Sequence, residues 1–549
     1  MSERWTRPLG YDLPDPTAGE DLHEGFAWHL PETYNVAEAA LSGDASATAL
    51  RHVDEGGTAR SFGYGDLDAA SDALAARLAA TGVGRGDRVA VCLPTCPELL
   101  VAHLGALRLG AVVVPVSMLL GEAAVAHSLS DSGSAVLILD RERADALALD
   151  GAVKPDETLL VRPGGYDGDL PALGGLGEHV DPTASVDPVA TSPEDPAMLL
   201  YTSGTTGDPK GVLQGHRYLA GSLPGYHCWF HLFGPERAAA SRVWTPAEWA
   251  WAGALFDVVY PTLAVGGTVV ARCRRSGFDA ARACALLDRE RVTHAFAPAT
   301  ALRKLRTHLT DGPTYDFAAL DVVNSGGEAV PPDLLSWIAD ALGVDVNEAY
   351  GQTEANALVG NCAAAYPVRP GSMGRPYPGH EVVIVDEAGE QVPPGTVGEV
   401  AVEPPDPALF LGYWGDDAAT EGAFFANGRF RTGDAAVRDE DGYLWHRGRR
   451  DDLIVTSGYR VSPLEVERVL DADEEVLDSV VGGVADETRG QRVTAYVVPR
   501  GEGSEALAER LRERVRDELG AYKVPREIEF VDDLPETRSG KVDRAALFD

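Results

Sequence analysis

Short, wholly apolar runs alternate with helix-period stretches over the first third of the chain. Residues 66–81 place Leu67, Ala70, Leu74 and Leu78 at helical spacing, which predicts an amphipathic helix. Arg88–Cys92, 111–115 and 135–139 read as buried strands, with Pro97–Arg108 as a helix between the first two. Strands apolar on both faces, alternating with helices, imply a parallel sheet covered on each side. A Gly-, Pro- and Asp-rich stretch, 163–196, separates this half from a second α/β pattern. That pattern runs from Ala197 to about Leu358, with strands at 198–201, 268–271 and 293–297.

After Pro370 the period shortens. Strands at 381–385, 398–402 and 443–445, at turn-rich spacing, predict a small β-rich, barrel-like subdomain. Beyond it come a helix at 461–470, strands at 480–484 and 493–498, the charged amphipathic helix Glu505–Leu519 and a strand at 527–531. The first 35 residues are rich in Pro, Asp and Trp without a steady period and read as a surface-lying arm. The expected architecture is therefore α/β, without internal repeats. Residues 1–450 form a large N-terminal domain of two α/β subdomains plus the small β-barrel-like one; residues 451–549 form a small mobile α+β C-terminal domain.

Composition narrows the partners. The chain has 549 residues, 85 of them acidic and 47 basic, for a net charge of −38. The length exceeds what one core usually fills, and the charge repels nucleic acid and anionic membrane. Only five of the basic residues are lysines (Lys154, Lys210, Lys304, Lys523, Lys541). Such acidity with so little lysine reads as adaptation to high salt, where mutual repulsion is screened within a few ångströms; arginine codon bias explains the second trait but not the first. Six cysteines lie scattered without a C-x-x-C pair, against a disulfide framework or zinc site and for a reducing cytoplasm. The N-terminus lacks the apolar core of a signal peptide, and the most apolar stretch, 111–120, contains Pro115 and is far short of the ~20 residues that span a bilayer. A soluble cytoplasmic protein is expected; its oligomeric state is not written in the sequence.

Five motifs carry candidate chemistry. The first is Tyr201-Thr202-Ser203-Gly204-Thr205-Thr206-Gly207-Asp208-Pro209-Lys210-Gly211, directly after an expected strand. Its glycines let the backbone approach a ligand, its hydroxyls and N–H groups suit phosphate oxygens, and Lys210 adds a point charge. A Walker A loop cannot be laid on it. The second is Asn347-Glu348-Ala349-Tyr350-Gly351-Gln352-Thr353-Glu354, preceded by Gly327-Glu328-Ala329. The third is Arg431-Thr432-Gly433-Asp434, followed by Arg449 and Asp451. The fourth is Ser457-Gly458-Tyr459-Arg460, and the fifth is Pro535-Glu536-Thr537-Arg538-Ser539-Gly540-Lys541. Taken singly, each has a bland reading as a flexible loop, a turn or surface charge.

As an ordered set, they resemble the adenylate-forming enzymes, which include acyl-CoA synthetases, luciferases and adenylation domains. The resemblance covers the chain from about Tyr64 to its C-terminus. It implies that Thr202, Ser203, Gly204, Thr205, Thr206, Gly207 and Lys210 hold the phosphates of ATP. Gly327, Glu328 and Ala329, with Glu348, Ala349, Tyr350, Gly351, Gln352 and Thr353, would line adenine and ribose. Glu354 would hold Mg²⁺, Asp434 the ribose hydroxyls, and Arg449 ribose and phosphate. Asp451 would be the hinge about which the C-terminal domain turns. Ser457, Gly458, Tyr459, Arg460, Arg489 and Lys523 would meet coenzyme A. Lys541, Thr206 and Glu354 would be catalytic. Glu536 departs from the basic residue usual in the fifth motif.

The resemblance further implies a two-step reaction: carboxylate and MgATP give acyl-adenylate and pyrophosphate, and then the CoA thiol expels AMP. In acetyl-CoA synthetases a tryptophan precedes the Gln-Thr-Glu and closes the acyl pocket; Gly351 stands there in this chain. Together with Trp244-Thr245-Pro246-Ala247-Glu248-Trp249-Ala250-Trp251, this looks most like the medium-chain branch, acting on medium, branched or aryl acids. For Trp249 and Trp251, pocket lining and plain core packing weigh equally. The alternatives are use of acetate or a non-CoA acceptor, a non-catalytic nucleotide-binding protein, and a simple ATP hydrolase.

Overall fold

The computed structural model describes residues 6–147, 155, 157–163, 175–176, 179–202, 209–274, 277–310, 312–327, 330–450, 452–456, 459–486, 490–535 and 542–548. Two large sheets dominate it. The first has seven strands in the spatial order 412–413, 210–215, 196–202, 112–115, 88–92, 136–140 and 157–161. Its five strands from 196–202 to 157–161 run parallel. The second has nine, ordered 375–376, 359–360, 345–350, 322–326, 294–296, 242–244, 268–272, 48–53 and 59–63.

The sheets are not successive halves of the chain, as the alternation of elements suggested. Thr48–Val53 and Ala59–Gly63 come first in sequence but close one edge of the second sheet, where Val270 stands opposite Arg51. Pro196–Thr202 and Lys210–Gly215, which opened the second pattern, belong to the first sheet. The reason is backbone satisfaction: an open edge needs a hydrogen-bonding neighbour, and that strand can come from anywhere in the chain.

Side chains alternate across each strand, so one run feeds two cores. In Arg88–Cys92, Val89 and Val91 face the space between the sheets, while Ala90 and Cys92 face the outer helices Glu122–Ser132 and Arg141–Ala146. The inner core also takes Val243, Val269, Ala271 and Phe296 from the second sheet. Two helices, Pro97–Arg108 and Arg217–Phe230, fill this space and are buried on nearly every side. That is why their sequences are apolar all round instead of striped. His103 inside the first bonds to the Tyr260 hydroxyl at 3.0 Å, and burial pushes its pKa down to about 3, so it stays neutral. A third apolar layer covers the outer face of the second sheet beneath Ala280–Arg289, Ala299–Thr310 and Pro332–Leu342.

The N-terminal arm is not confined to the surface. Tyr11–Asp12 pairs with Ala27–Trp28, and the fully buried Tyr11 bonds through its hydroxyl to His227 Nε2 at 2.8 Å. Leu9, Leu13 and Leu22 are buried too. The arm lacks a period because single side chains pin it at separate points.

The β-rich region after Pro370 is a four-stranded antiparallel sheet of Val382–Val385, Val397–Val402, Phe430–Arg438 and Leu444–Arg449. The C-terminal unit is a five-stranded sheet covered by Pro463–Asp471 and Glu505–Leu519, with Glu527–Phe530 parallel to Gly490–Pro499. No described helix is long and apolar enough to cross a membrane.

Gly374 joins the second sheet to the small one. It has φ +92°, and a Cβ there would lie 2.0 Å from the Gly360 carbonyl oxygen. Gly374→Ala should therefore lower stability by about 2 kcal/mol or more. An unchanged denaturant midpoint for this variant would contradict the packing described.

Candidate active site

Three of the described site residues lie at the carboxyl ends of parallel strands, where open α/β sheets bind ligands. Thr202 ends Pro196–Thr202 of the first sheet. Gly327 follows Val322–Gly326, and Tyr350 ends the neighbouring Asp345–Tyr350. The Thr353 carbonyl, three residues past the strand Asp345–Tyr350, accepts from Gln214 Nε2 of the first sheet and from the Tyr218 hydroxyl of the helix Arg217–Phe230. Residues 203–208, 328–329, 451, 457–458, 489 and 541 lie outside the described residues, as do the side chains of Tyr459 and Arg460. The expected roles of Ser203 to Gly207, Glu328, Ala329, Ser457, Gly458, Arg489 and Lys541 therefore rest on sequence.

Asp434 gathers the residues expected on the nucleotide side. Its Oδ2 accepts from the Tyr350 hydroxyl at 2.6 Å and from Gln352 Nε2 at 2.6 Å. Arg449 Nη1 donates to Oδ1 at 3.2 Å, and His446 Nε2 stands 3.6 Å from the same oxygen. Burial alone would raise this carboxyl, but His446, Arg449 and the Tyr350 hydroxyl outweigh it and hold the pKa at about 2. Arg449 and Asp434 are cross-strand partners, so the strand register itself brings them together. Two motifs that are separate in sequence thus converge on one carboxylate.

Glu399, which the sequence did not single out, braces the strand segment before it. This buried carboxylate accepts from Gly433 N at 3.2 Å, from Arg431 Nη2 at 3.1 Å and from Arg450 Nη1 at 2.7 Å. A cavity of ≈ 290 Å³ opens beside this segment among Lys210, Glu399, Tyr413, Arg431, Gly433 and Arg450. Its cations suit an anionic ligand.

Glu354 accepts from the Tyr413 hydroxyl at 2.8 Å through Oε1, and Lys210 Nζ lies 5.3 Å from the centre of the same ring. Tyr413 therefore links the phosphate-loop lysine to the candidate metal carboxylate. No sequence signal marked it beyond a lone aromatic after Gly412. Among the described residues no group of three or more His, Cys, Asp or Glu forms a cation cage. One carboxylate with its second oxygen unoccupied by described residues does fit Mg²⁺, which takes few protein ligands when it rides on substrate phosphates.

Glu348 has a different setting. Burial pushes its carboxyl up to about 7, while backbone N–H groups of Val330 and Gly371 and the charge of Arg468 offset only part. Arg468 belongs to the C-terminal unit and donates to the Gly371 carbonyl at 3.2 Å. Beside it, Arg447 Nε pairs with Glu465 at 2.9 Å, and Lys523 pairs with the other oxygen of Glu465. Lys523, an expected CoA cation, is thus neutralised at the domain junction in this arrangement.

Two details revise the substrate reading. An added Cβ on Gly351 would lie 2.6 Å from Ala357 N and 3.1 Å from Asn356 C and Cα. Backbone already fills that place, so the glycine answers a packing need and its smallness does not by itself enlarge a pocket. Trp249 is 1% exposed and part of the inner core, whereas Trp251 is partly exposed.

With this geometry in view, comparison with known proteins places the molecule. The model of the AMP-binding enzyme family matches residues 37–414, and that of the AMP-binding enzyme C-terminal domain matches 465–541. The chain belongs to the AMP-binding enzyme family. It is an AMP-forming acid–thiol ligase. It is 34% identical to 4-hydroxybutyrate–CoA ligase 1 of Metallosphaera sedula, over 95% of this chain and 90% of that one. Mouse mitochondrial acyl-coenzyme A synthetase ACSM3 is 30% identical over 96% and 92%. The crystal structure of the anthranilate CoA ligase AuaEII with anthranoyl-AMP superposes with TM-score 0.82 at 27% identity, covering 94% of this chain and 97% of that one.

Asp434→Asn should lower kcat/KM for ATP by about 100-fold, the effect of losing charge-assisted hydrogen bonds worth ~2.7 kcal/mol. Because the folded pKa lies below the ordinary 3.8, wild type gains stability from Asp434 above pH 3.8 and loses it as pH falls through about 2. Acid melts of wild type and variant should accordingly converge toward pH 2; a constant gap between them would refute this assignment.

Proposed function

We propose that this ligase activates medium-chain, branched or aryl carboxylates and transfers them to coenzyme A. The observation that carries the reading is Asp434, held ionised by Tyr350, Gln352 and Arg449 at the edge of a cation-lined cavity. A carboxylate held that way keeps its charge and a free acceptor site on Oδ1 for a ribose hydroxyl. In the first step a substrate carboxylate oxygen bonds to the α-phosphorus of ATP, and the bond to the bridging oxygen breaks, releasing pyrophosphate. In the second, CoA sulfur bonds to the acyl carbon, the acyl–oxygen bond to AMP breaks, and the thiol proton passes to solvent.

Glu354 would hold Mg²⁺, with Tyr413 fixing its orientation. Bound there, the cation would neutralise phosphate charge. Lys210 and the residues from Ser203 to Gly207 would contact the phosphates, and Lys541 would offset the charge that develops as the acyl–phosphate bond forms. Arg460, Arg489 and Lys523 would serve CoA. For Lys523 this requires leaving Glu465, so the C-terminal domain would turn about Asp451 between the two steps.

The substrate class is supported by the tryptophan-rich segment 244–251 and by relatives of varied acid choice, one named for 4-hydroxybutyrate and one solved with anthranoyl-AMP. The acidic, lysine-poor composition supports a cytoplasm of high salt.

Lys541→Ala should slow pyrophosphate release at least about 100-fold while leaving CoA attack on supplied acyl-adenylate within a few-fold of wild type. Equal loss in both half-reactions would contradict the assigned role. Across an acid panel in high KCl, AMP formation should require CoA and favour C4–C8 or aryl acids over acetate. ADP and phosphate as products would overturn the reaction itself.

A further inference from the structure

Helical residues 252–264 are almost wholly buried, but one face is not. Ala252, Ala254, Leu255, Phe256, Val258 and Val259 are buried, whereas Trp251, Gly253 and Asp257 are partly exposed. Gly253 and Asp257 share a helical face. Their exposure leaves an opening beside Phe296 and Asn356. Leu255–Val259 is also a π-type turn, wider than an α-helical one, a form that recurs at functional sites.

Asp257 is unusual for such a place. Its Oδ1 accepts from Asn356 Nδ2, which also reaches Ser222 Oγ at 3.4 Å. Among the described residues nothing donates to Oδ2, and no cation pairs with the carboxylate. The missing side chain at Gly253 keeps Oδ2 uncovered, since an added methyl there would sit 3.3 Å from it. Burial pushes this carboxyl up to about 7, and the Asn356 hydrogen bond offsets only part. Oδ2 thus stands as an accessible acceptor, ready to take a hydrogen bond from a donor that a ligand brings.

Its position says what arrives. Asn356 lies two residues beyond Glu354 in the reacting motif. The neighbouring Phe256 packs edge-on against Tyr218 at 4.6 Å, and the Tyr218 hydroxyl donates to the Thr353 carbonyl at 2.9 Å. The opening therefore borders the segment at which the acid must be activated. The geometry points to Asp257 as the specificity residue for the acyl group: the substrate carries a hydrogen-bond donor, a hydroxyl or an amino group, that meets Asp257 Oδ2. This deepens the proposed reaction and rests on it. A purely alkyl chain would leave the carboxylate unpaired in the closed complex, whereas a donor on the chain would satisfy it.

The test compares matched acids by AMP release in the presence of CoA. Butyrate, hexanoate and benzoate are each set against their hydroxyl- and amino-bearing counterparts. In at least one pair, wild type should favour the donor-bearing acid by tenfold or more in kcat/KM. Asp257→Leu should bring that ratio to one or below, and Asp257→Ala, which demands less of the packing, should do the same if the leucine variant does not fold. Asp257→Asn distinguishes the donors: preference for a hydroxyl survives, because the amide oxygen still accepts, and preference for an ammonium is lost. A merely structural role would lower kcat/KM for all acids together and leave the ratios unmoved. No tenfold preference in any wild-type pair, or a preference that persists without the carboxylate, overturns the assignment. Release of AMP without such discrimination leaves the proposed reaction standing, while no AMP from any acid removes both.

Discussion

A carboxylate that must remain charged inside a protein constrains everything placed around it. Asp434 is such a group, and its donors come from two distant stretches of chain: Tyr350 and Gln352 at the end of a parallel strand, and Arg449 on the adjacent antiparallel strand. Losing any one would leave the others holding a buried charge, whose desolvation penalty grows as its partners are removed. The small sheet can therefore sit against the large one in only one register. Glu399 repeats the device one strand away, binding Arg431, Arg450 and the Gly433 amide. The strand segment from Arg431 to Asp434 is thus fixed before a ligand arrives, which is how a site avoids reorganisation at the moment of reaction.

The overall charge of −38 makes this local arrangement more significant. Long-range steering cannot favour anionic substrates here, so local cations must hold them, several of which are already paired to protein acids. Arg431, Arg450, Arg449 and Lys523 are all held in that way. Acid partners keep the cations in place and moderate their field, so that release of one pair, such as Lys523 from Glu465, makes a cation available only in a particular domain arrangement. Substrate choice would follow the same logic in reverse, with the uncompensated carboxylate of Asp257 waiting for a donor.

Much of the fold was legible because buried parallel strands must be apolar on both faces. Arg88–Cys92 and Pro97–Arg108 have the bounds the pattern indicated, as does the exposed amphipathic helix Glu505–Leu519. Sheet membership was not legible. Thr48–Val53 pairs with a strand more than 200 residues away, and backbone hydrogen bonds leave no mark on side-chain identity. Tyr11 escaped notice for a related reason, since a single buried ring in an aperiodic arm has no neighbours to form a pattern. Within the site, the motif residues Tyr350, Gln352, Asp434 and Arg449 do come together. Tyr413, His446 and Glu399 lay outside any motif and were supplied by strand register, while the meaning of Gly351 changed once Asn356 and Ala357 were seen against it.

The crossing of strands between the two sheets has a consequence for how the molecule is made. Residues 48–63 emerge early during synthesis, yet their pairing partner at 268–272 follows some 200 residues later. Strands 88–161 likewise wait for 196–215 before their sheet has its inner neighbours. At ordinary translation rates of ~5–20 residues per second, the nascent chain spends about ten seconds or more with a wide apolar strand edge unpaired. Both sheets take a late strand, 412–413 in the first and 375–376 in the second, so the large domain is completed only near the end of its synthesis. For so acidic a chain, like-charge repulsion between neighbouring nascent copies is then an asset during that interval.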